Sequence, residues 1–267
     1  MKKVIRLLFL FSSIFLWIFL LSLVRFFFMF FLAKRALLAS YLVHLLNRIL
    51  SYVVGIKVRV FGQKEFLKNK GIFFVSNHLS YLDGIAISRL SPLLFIGGLD
   101  LKRWPLFGVL VWLGETIFVN RINPSNIHNE LKKIIFLLRK KINIILFPEG
   151  TSTNGSRILS FKTPFFEAPL RAGCKIVPLV IKYTRIDSQP LNELNRDLVY
   201  WYGEMRFMPH LLGVLGLRSI EIEIQVGNPL EVVASSVNLS SQRKELSRKC
   251  REAINNQLES STLGVQI

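Results

Sequence analysis

The sequence predicts an α/β fold, with a mainly parallel sheet flanked by helices and an N-terminal two-helix membrane anchor. Short apolar runs typical of buried strands alternate with segments of helical spacing. This alternation is typical of parallel sheets that are covered on both faces. The first 54 residues are largely apolar, whereas the remainder is mixed in composition. We therefore expect two parts, membrane-anchoring helices over residues 1–54 and a globular domain over residues 55–267.

The anchor begins with the uncharged run Leu7–Val24, whose 18 residues are near the lower limit for a membrane-spanning helix. A second helix is predicted over Ala36–Val54, where polar residues interrupt the leucines. A cleaved signal peptide is the alternative for the first segment, and an ordinary core helix is the alternative for the second. Basic residues flank the first run on both sides, so charge gives little indication of its orientation. We expect a shallow or re-entrant anchor, with the globular domain on the cytoplasmic face.

The globular domain is predicted to alternate between strands and helices, each assigned from its apolar periodicity and its flanking turn residues. The strands are expected at Ile56–Gly62, Ile72–Val75, Leu93–Ile96, Thr116–Val119, Ile142–Leu146, Lys175–Tyr183 and Ser219–Gly227. The helices are expected at Ser80–Leu90, Lys102–Trp112, Asn126–Lys141, from Thr163 onward, and at Ser240–Leu258. Pro164 suits the first position of the fourth helix, and Pro169 should end or kink that helix.

The loop after the second strand carries the first candidate for chemistry, the pair His78 and Asp83. We place Ser80 at the N-cap of the next helix and Asp83 on its first turn. From there the carboxylate can fold back onto the imidazole and accept its Nδ1 proton. The Nε2 atom would then be free to take a proton from a substrate hydroxyl, as a general base does. The alternative is that the two residues only cap a loop and a helix.

A second polar loop, Phe147–Thr151, follows the apolar strand Ile142–Leu146. Loops at the carboxyl ends of strands can meet at one edge of an open α/β sheet, where such folds bind their ligands. Glu149 can accept a hydrogen bond from a hydroxyl, Gly150 permits close approach of the backbone, and Thr151 offers a hydroxyl. The alternative is a turn that simply ends a strand.

Together these two loops resemble the glycerolipid acyltransferase superfamily, and bacterial 1-acylglycerol-3-phosphate acyltransferases in particular. The resemblance covers about Ile56–Gly227 and rests on four blocks in the family's order, namely Asn-His-x-Ser-x-x-Asp, Gly-Glu-Thr-Ile-Phe-Val-Asn-Arg, Phe-Pro-Glu-Gly-Thr and Val-Pro-Leu-Val-Ile. It implies that His78 and Asp83 are catalytic. It also implies that the Glu149 loop binds the acceptor and that Arg121 holds the acceptor's phosphate, which guanidinium matches bidentately.

The resemblance implies a membrane-bound O-acyltransferase that moves a fatty acyl chain from a thioester to the hydroxyl of 1-acylglycerol 3-phosphate, giving phosphatidic acid. The donor would be acyl-coenzyme A or acyl carrier protein as a co-substrate, with no cofactor. Residues 55–267 would be the catalytic domain, on the cytoplasmic face of the bacterial inner membrane. Direct transfer without an acyl-enzyme is expected, because Gly150-Thr151-Ser152 lacks the final glycine of a Gly-x-Ser-x-Gly elbow.

Other features of the sequence favour alternative functions. Ser152 stands where the family commonly has an arginine. The segment Trp201–Met205 followed by Pro209-His210 is similar to one in acyltransferases that resemble lyso-ornithine-lipid acyltransferases. An acceptor without phosphate, such as lyso-ornithine lipid, is therefore the alternative substrate. A non-catalytic membrane scaffold and a hydrolase are alternatives from other classes.

The composition indicates which kinds of partner the protein is expected to bind. The formal net charge is +18 and the isoelectric point is about 10.3, which suits anionic membrane lipid at about 1 kcal/mol per basic residue near the surface. The same charge would attract acidic acyl carriers. No nucleic-acid partner is expected, because no recognisable binding motif accompanies the charge. Two cysteines imply no disulfide framework, and the four histidines lack metal-ligand spacing.

Overall fold

The structure is a computed structural model that describes residues 2–104, 106–120, 127–232 and 238–263. The strands of this described part are β1 (Ile56–Gly62), β2 (Phe73–Ser76), β3 (Leu94–Gly98), β4 (Ile117–Val119), β5 (Ile144–Leu146), β6 (Ile176–Ile186), β7 (Gln189–Pro190) and β8 (Ile220–Val226). Its α-helices are α1 (Lys2–Phe27), α2 (Leu32–Val54), α3 (Leu82–Ser88), α4 (Phe107–Leu113), α5 (Ile127–Arg139), α6 (Glu167–Ala172), α7 (Phe207–Val214) and α8 (Leu239–Leu263).

The strands form one sheet in the order β1-β8-β6-β2-β5-β3-β4, and β7 adds a short pairing to β6. The pairs along β6-β2-β5-β3-β4 are all parallel, as is the pair β1-β8. The pairs β6-β8 and β6-β7 are antiparallel, so β1, β7 and β8 run against the other five strands. The mainly parallel sheet predicted from the sequence is therefore confirmed, with a reversed pair at one edge.

Both faces of the sheet are covered, because consecutive side chains of a strand point to opposite sides. On β2, Phe74 packs in the cluster that includes α1 to α4 and α7, whereas Phe73 and Val75 pack in the cluster under α5, α6 and α8. All three side chains are fully buried. The central strands thus read as continuous apolar runs because both of their faces lie in a core.

Two predictions about the helices, one on the start of α3 and one on the effect of Pro169, differ from the structure. Helix α3 begins at Leu82, because the Ser80 N–H bonds the Asp83 carboxylate and the Ser80 carbonyl accepts from the Asp83 N–H. Ser80 therefore lies in the loop and not at the N-cap. Pro169 neither ends nor kinks α6, since it falls in the first turn, where a missing N–H costs no helical bond. Gly173 ends that helix in the left-handed conformation instead.

The two N-terminal helices pack against the domain along their lengths. Both are long and apolar enough to cross a membrane by composition, with mean hydropathies of 2.6 and 1.5. One stripe of α1, formed by Leu10, Ile14, Trp17 and Leu21, is buried in the same cluster as β2 and β8. The rest of the two helices exposes large apolar side chains, including Phe9, Phe15, Phe19, Phe26, Phe27, Leu37, Leu38, Tyr41, Leu45 and Tyr52.

Helix α1 is fixed to the domain at both ends. Near its start, the Arg6 guanidinium donates to the carbonyls of Leu215 and Leu217, just after α7. Near its end, Arg25 donates to Glu115 at 2.7 Å and lies over the Trp112 ring. Arg6 and Arg25 are 19 residues apart in sequence, or about 28 Å along a helix axis. The helix therefore runs along the domain surface and does not project from it.

Glu115 joins the anchor to the sheet. Its carboxylate is 2% exposed and lies between α4 and β4. It receives Arg25 from α1, Arg35 from α2 at 2.8 Å and Lys133 from α5 at 3.5 Å. Three cations around one buried carboxylate compensate the cost of removing its charge from water. The sequence placed Glu115 in a family block without indicating this role.

Candidate active site

Three segments converge around the loop that follows β2. The Asn77 amide bonds both the N–H and the carbonyl of Ile181 in β6, extending the strand pairing beyond Ser76. The Thr153 N–H donates to the His78 carbonyl at 3.0 Å, and the Trp201 N–H donates to the Leu79 carbonyl at 3.0 Å. These bonds fix the backbone on either side of the imidazole. The expected meeting of the two polar loops at one edge of the sheet is thus present in the structure.

His78 and Asp83 are in direct contact, as the spacing predicted. The Nδ1 atom of His78 lies 2.8 Å from Oδ2 of Asp83. The carboxylate is fully buried, whereas the imidazole is 20% exposed. Oδ2 also accepts the N–H groups of Leu79 at 2.7 Å and Ser80 at 2.9 Å. Because a carboxylate oxygen accepts hydrogen bonds, we assign the imidazole hydrogen to Nδ1. This tautomer leaves the Nε2 lone pair available.

Tyr183 holds the other oxygen of this carboxylate and was not predicted from the sequence. Its hydroxyl donates to Oδ1 of Asp83 at 2.7 Å, and its side chain is 1% exposed. Burial, with a further contribution from the Asp83 charge, raises the pKa of the Tyr183 phenol, which therefore remains a donor. In the sequence, Tyr183 is one more apolar position of β6, and nothing nearby marks the 100-residue contact.

Glu149 lies beside the pair and braces its loop. Its Oε1 accepts the His78 N–H at 3.0 Å and its Oε2 accepts the Leu159 N–H at 2.9 Å. Burial raises the pKa of this carboxyl, although the two backbone donors oppose that shift. Both oxygens thus already bond the protein, which the sequence did not indicate. The predicted contact between Glu149 and an acceptor hydroxyl stays a prediction.

The remaining predicted site residues differ in what surrounds them. Gly150 has φ +74°, and a β-carbon there would lie 2.9 Å from the Lys162 side chain, so this turn requires glycine. Thr151 is exposed, and its hydroxyl makes a long bond of 3.4 Å to the Ser152 carbonyl. Arg121 lies outside the described residues, so its predicted phosphate contact stays a prediction.

An aromatic cluster adjoins the His78 loop. The Tyr81 hydroxyl lies 3.0 Å from Nδ1 of His210, and the rings of Trp104, Trp201 and Phe207 pack edge to face or tilted around it. Burial lowers the pKa of His210, which favours its neutral form as an acceptor for Tyr81. The Trp201–His210 cluster noted in the sequence therefore supports the loop that carries His78.

A pocket of about 140 Å³ opens next to the imidazole. The His78 ring stacks on Phe147, with centroids 4.2 Å apart and planes within 18°. Phe147 also lines the pocket, so one residue contacts both the cavity and the histidine. The walls are mostly apolar, and they include Ile96, Val119, Ile127, Leu146, Pro148 and Phe165, together with Glu130 and Lys162.

Comparison with known proteins agrees with this geometry. The family model described as "Acyltransferase" matches residues 57–182. The lyso-ornithine lipid O-acyltransferase of Brucella abortus is 31% identical over 228 residues, which cover 83% of this chain and 83% of that protein. The 1-acyl-sn-glycerol-3-phosphate acyltransferase of Salmonella typhimurium is 30% identical over 159 residues, which cover 58% of this chain and 64% of that protein.

A solved structure has the same fold. The 1-acyl-sn-glycerophosphate acyltransferase of Thermotoga maritima superimposes with a TM-score of 0.60 at 18% identity, covering 100% of this chain and 99% of that one. These findings place the protein among the acyltransferases. The chain belongs to the glycerolipid acyltransferase superfamily and is similar to its 1-acylglycerol-3-phosphate acyltransferases.

Proposed function

We propose that the protein is a lysolipid O-acyltransferase in which His78 is the general base and Asp83 orients it. The observation that supports this most directly is the 2.8 Å contact between Nδ1 of His78 and the buried Asp83 carboxylate. That contact, with the Tyr183 hydroxyl on the second carboxylate oxygen, fixes both the ring and its tautomer.

The transfer proceeds in one addition and one elimination. Nε2 of His78 removes the hydroxyl proton of the lysolipid while that oxygen bonds to the thioester carbonyl carbon. The tetrahedral intermediate then breaks its C–S bond, and the leaving sulfur takes the proton from the imidazolium. A positioned base of this kind contributes about 10²–10⁴ in rate.

We propose acyl-coenzyme A or acyl carrier protein as the donor, with no prosthetic group. Direct attack fits the environment of Ser152, because its hydroxyl is directed at the Trp201 carbonyl and not at His78. The Thr153 hydroxyl donates a long bond of 3.4 Å to the His78 backbone carbonyl, and such a bond does not make it a nucleophile. The proposed reaction therefore proceeds without an acyl-enzyme intermediate.

For the acceptor, we propose a lysolipid with a non-phosphate head group, such as lyso-ornithine lipid. The relative named for that acceptor matches over a larger share of this chain than the one named for 1-acylglycerol 3-phosphate. The chain also has Ser152 where an arginine is common among the latter, and Ser152 bonds the protein backbone. 1-Acylglycerol 3-phosphate is the second candidate, favoured by the Arg121 block and by the match to the Salmonella typhimurium enzyme.

The protein is membrane-associated, and we propose that its anchor lies in the cytoplasmic leaflet without crossing the bilayer. Because α1 is bonded to the domain at Arg6 and at Arg25, a crossing helix would draw the surface around α4 and α7 into the hydrocarbon. A helix with one buried stripe and an exposed apolar face is suited to lying in the interface. Protease treatment of sealed inside-out vesicles should cleave the domain, and its protection there would exclude this placement.

The acceptor is tested with purified protein, one acyl donor and the two lysolipids in matched mixed micelles. We expect kcat/KM for lyso-ornithine lipid to exceed that for 1-acylglycerol 3-phosphate by about tenfold or more, the effect of one charge-assisted hydrogen bond. The acylated lipid is quantified by mass spectrometry, and free fatty acid is measured in parallel to detect hydrolysis. A preference for the phosphate acceptor would restore the second candidate, and fatty acid as the main product would indicate a hydrolase.

A further inference from the structure

The pocket beside Phe147 carries one acidic and one basic side chain that do not pair with each other. Glu130 extends from the first turn of α5, and Lys162 lies where the chain crosses the Gly150 turn. Oε2 of Glu130 is buried and accepts no hydrogen bond in the described part of the protein. Among the same residues, no carboxylate lies within 4.0 Å of the Lys162 ammonium.

Glu130 and Lys162 line a cavity that borders the loop carrying Glu149. The Lys162 backbone N–H donates to the Pro148 carbonyl at 2.8 Å, so its chain is held against the loop that carries Glu149. Its side chain passes within contact distance of Gly150, one residue after the carboxylate that braces His78. Glu130 borders the same cavity, which Phe147 also lines, and the Phe147 ring stacks on the imidazole. A head group bound in this pocket would therefore lie close to His78.

Within the described residues, Glu130 and Lys162 are two opposite charges that do not pair with each other, in a mostly apolar cavity that Asn120 also lines. Such an arrangement is complementary to a zwitterion. A buried charge is costly until it meets an opposite charge, and both groups gain from a ligand that supplies one charge to each. A phosphate dianion would pair with Lys162 but would be repelled by Glu130. The cavity of about 140 Å³ is large enough for a small polar head group.

We propose that Glu130 and Lys162 select the acceptor head group, with Lys162 binding its carboxylate and Glu130 binding its ammonium. This rests on the proposed function, since it names the residues through which the enzyme would prefer an amino-acid lysolipid. Neither residue belongs to the blocks that carry the family resemblance. Arg121 is not required for it, because the carboxylate is held from the Lys162 side.

The test compares Glu130→Gln and Lys162→Met with the wild type on both lysolipids. Glu130→Gln should raise KM for lyso-ornithine lipid about tenfold or more, the loss expected for one charged contact. It should leave KM for 1-acylglycerol 3-phosphate unchanged or lower it. Lys162→Met should raise KM for both acceptors, because each presents an anion. Glu65→Gln and Lys64→Met, two exposed residues at the far edge of the sheet, control for net charge and should change neither value.

A second measurement changes the substrate and not the protein. Lyso-ornithine lipid whose ammonium is N-acetylated should be a poorer acceptor for the wild type by a factor similar to that of Glu130→Gln. The same acetylation should cause little further loss in Glu130→Gln itself. Equal losses from acetylation in both proteins, or equal effects of Glu130→Gln on both lysolipids, would overturn the assignment. No turnover of lyso-ornithine lipid by the wild type would instead reject the proposed acceptor.

Discussion

Replacing His78 by alanine is expected to reduce kcat by about 10²–10⁴, to the limit of detection in most acyl-transfer assays. The reason is that Nε2 is the base we propose, while Asp83, Tyr183 and the backbone donors hold the His78 loop in place. The imidazole is partly exposed and stacks on one ring, so its removal opens little core. We therefore expect an unchanged thermal unfolding midpoint, measured together with acyl transfer to lysolipid.

Two further variants distinguish the proposed role of His78 from the roles of the residues that position it. Asp83→Asn should lose nearly as much activity, because a buried amide can leave the imidazole hydrogen on the wrong nitrogen. Tyr183→Phe should keep more activity than Asp83→Asn, because it removes one hydrogen bond to Oδ1 and leaves the contact between Oδ2 and Nδ1 of His78 in place. Full turnover in His78→Ala would end the general-base assignment.

Replacing Glu115 by glutamine is expected to cause a large loss of stability. The substitution leaves Arg25 and Arg35 beside a buried neutral group, and breaking a buried pair costs about 3–5 kcal/mol. Because those arginines belong to α1 and α2, the anchor should loosen before the sheet unfolds. Hydrogen exchange in micelles should show faster exchange in α1 and α2, and the unfolding midpoint should fall.

The matched control is Glu245→Gln on α8. Glu245 also contacts two cations, Arg248 at 2.6 Å and Lys249 at 3.6 Å, but all three side chains are about half exposed. Exposed pairs contribute little, so no measurable change in the midpoint is expected. If the two variants behave alike, burial is not what gives Glu115 its importance, and the coupling of anchor to sheet through this residue is wrong.

Local patterns were sufficient to predict the parallel centre of the sheet and the contact between His78 and Asp83. Both depend on short stretches, an apolar run in one case and five residues of loop in the other. The reversed β8 was not predicted, because its alternating side chains are the same in either direction. Helix α7 was also missed, since Pro209 looks like a helix breaker although it falls in the first turn.

The supports of the site could not be predicted because their partners are distant or are backbone atoms. Glu149 bonds two N–H groups, which no side-chain motif reveals. Tyr183 and Glu115 look like an apolar strand position and a surface acid in the sequence, and only the packed chain brings Asp83 or the arginines to them. The sequence therefore indicated the contact between His78 and Asp83 but not the groups that support it.

The attachment of α1 at both Arg6 and Arg25 has a consequence for the membrane itself. In the proposed placement within a single leaflet, the enzyme would take its one-chained substrate from that monolayer and return a two-chained product to the same side. Each turnover would then enlarge the area of one monolayer relative to the other. Growth of the whole bilayer would then depend on a separate route that carries finished lipid across to the opposite side.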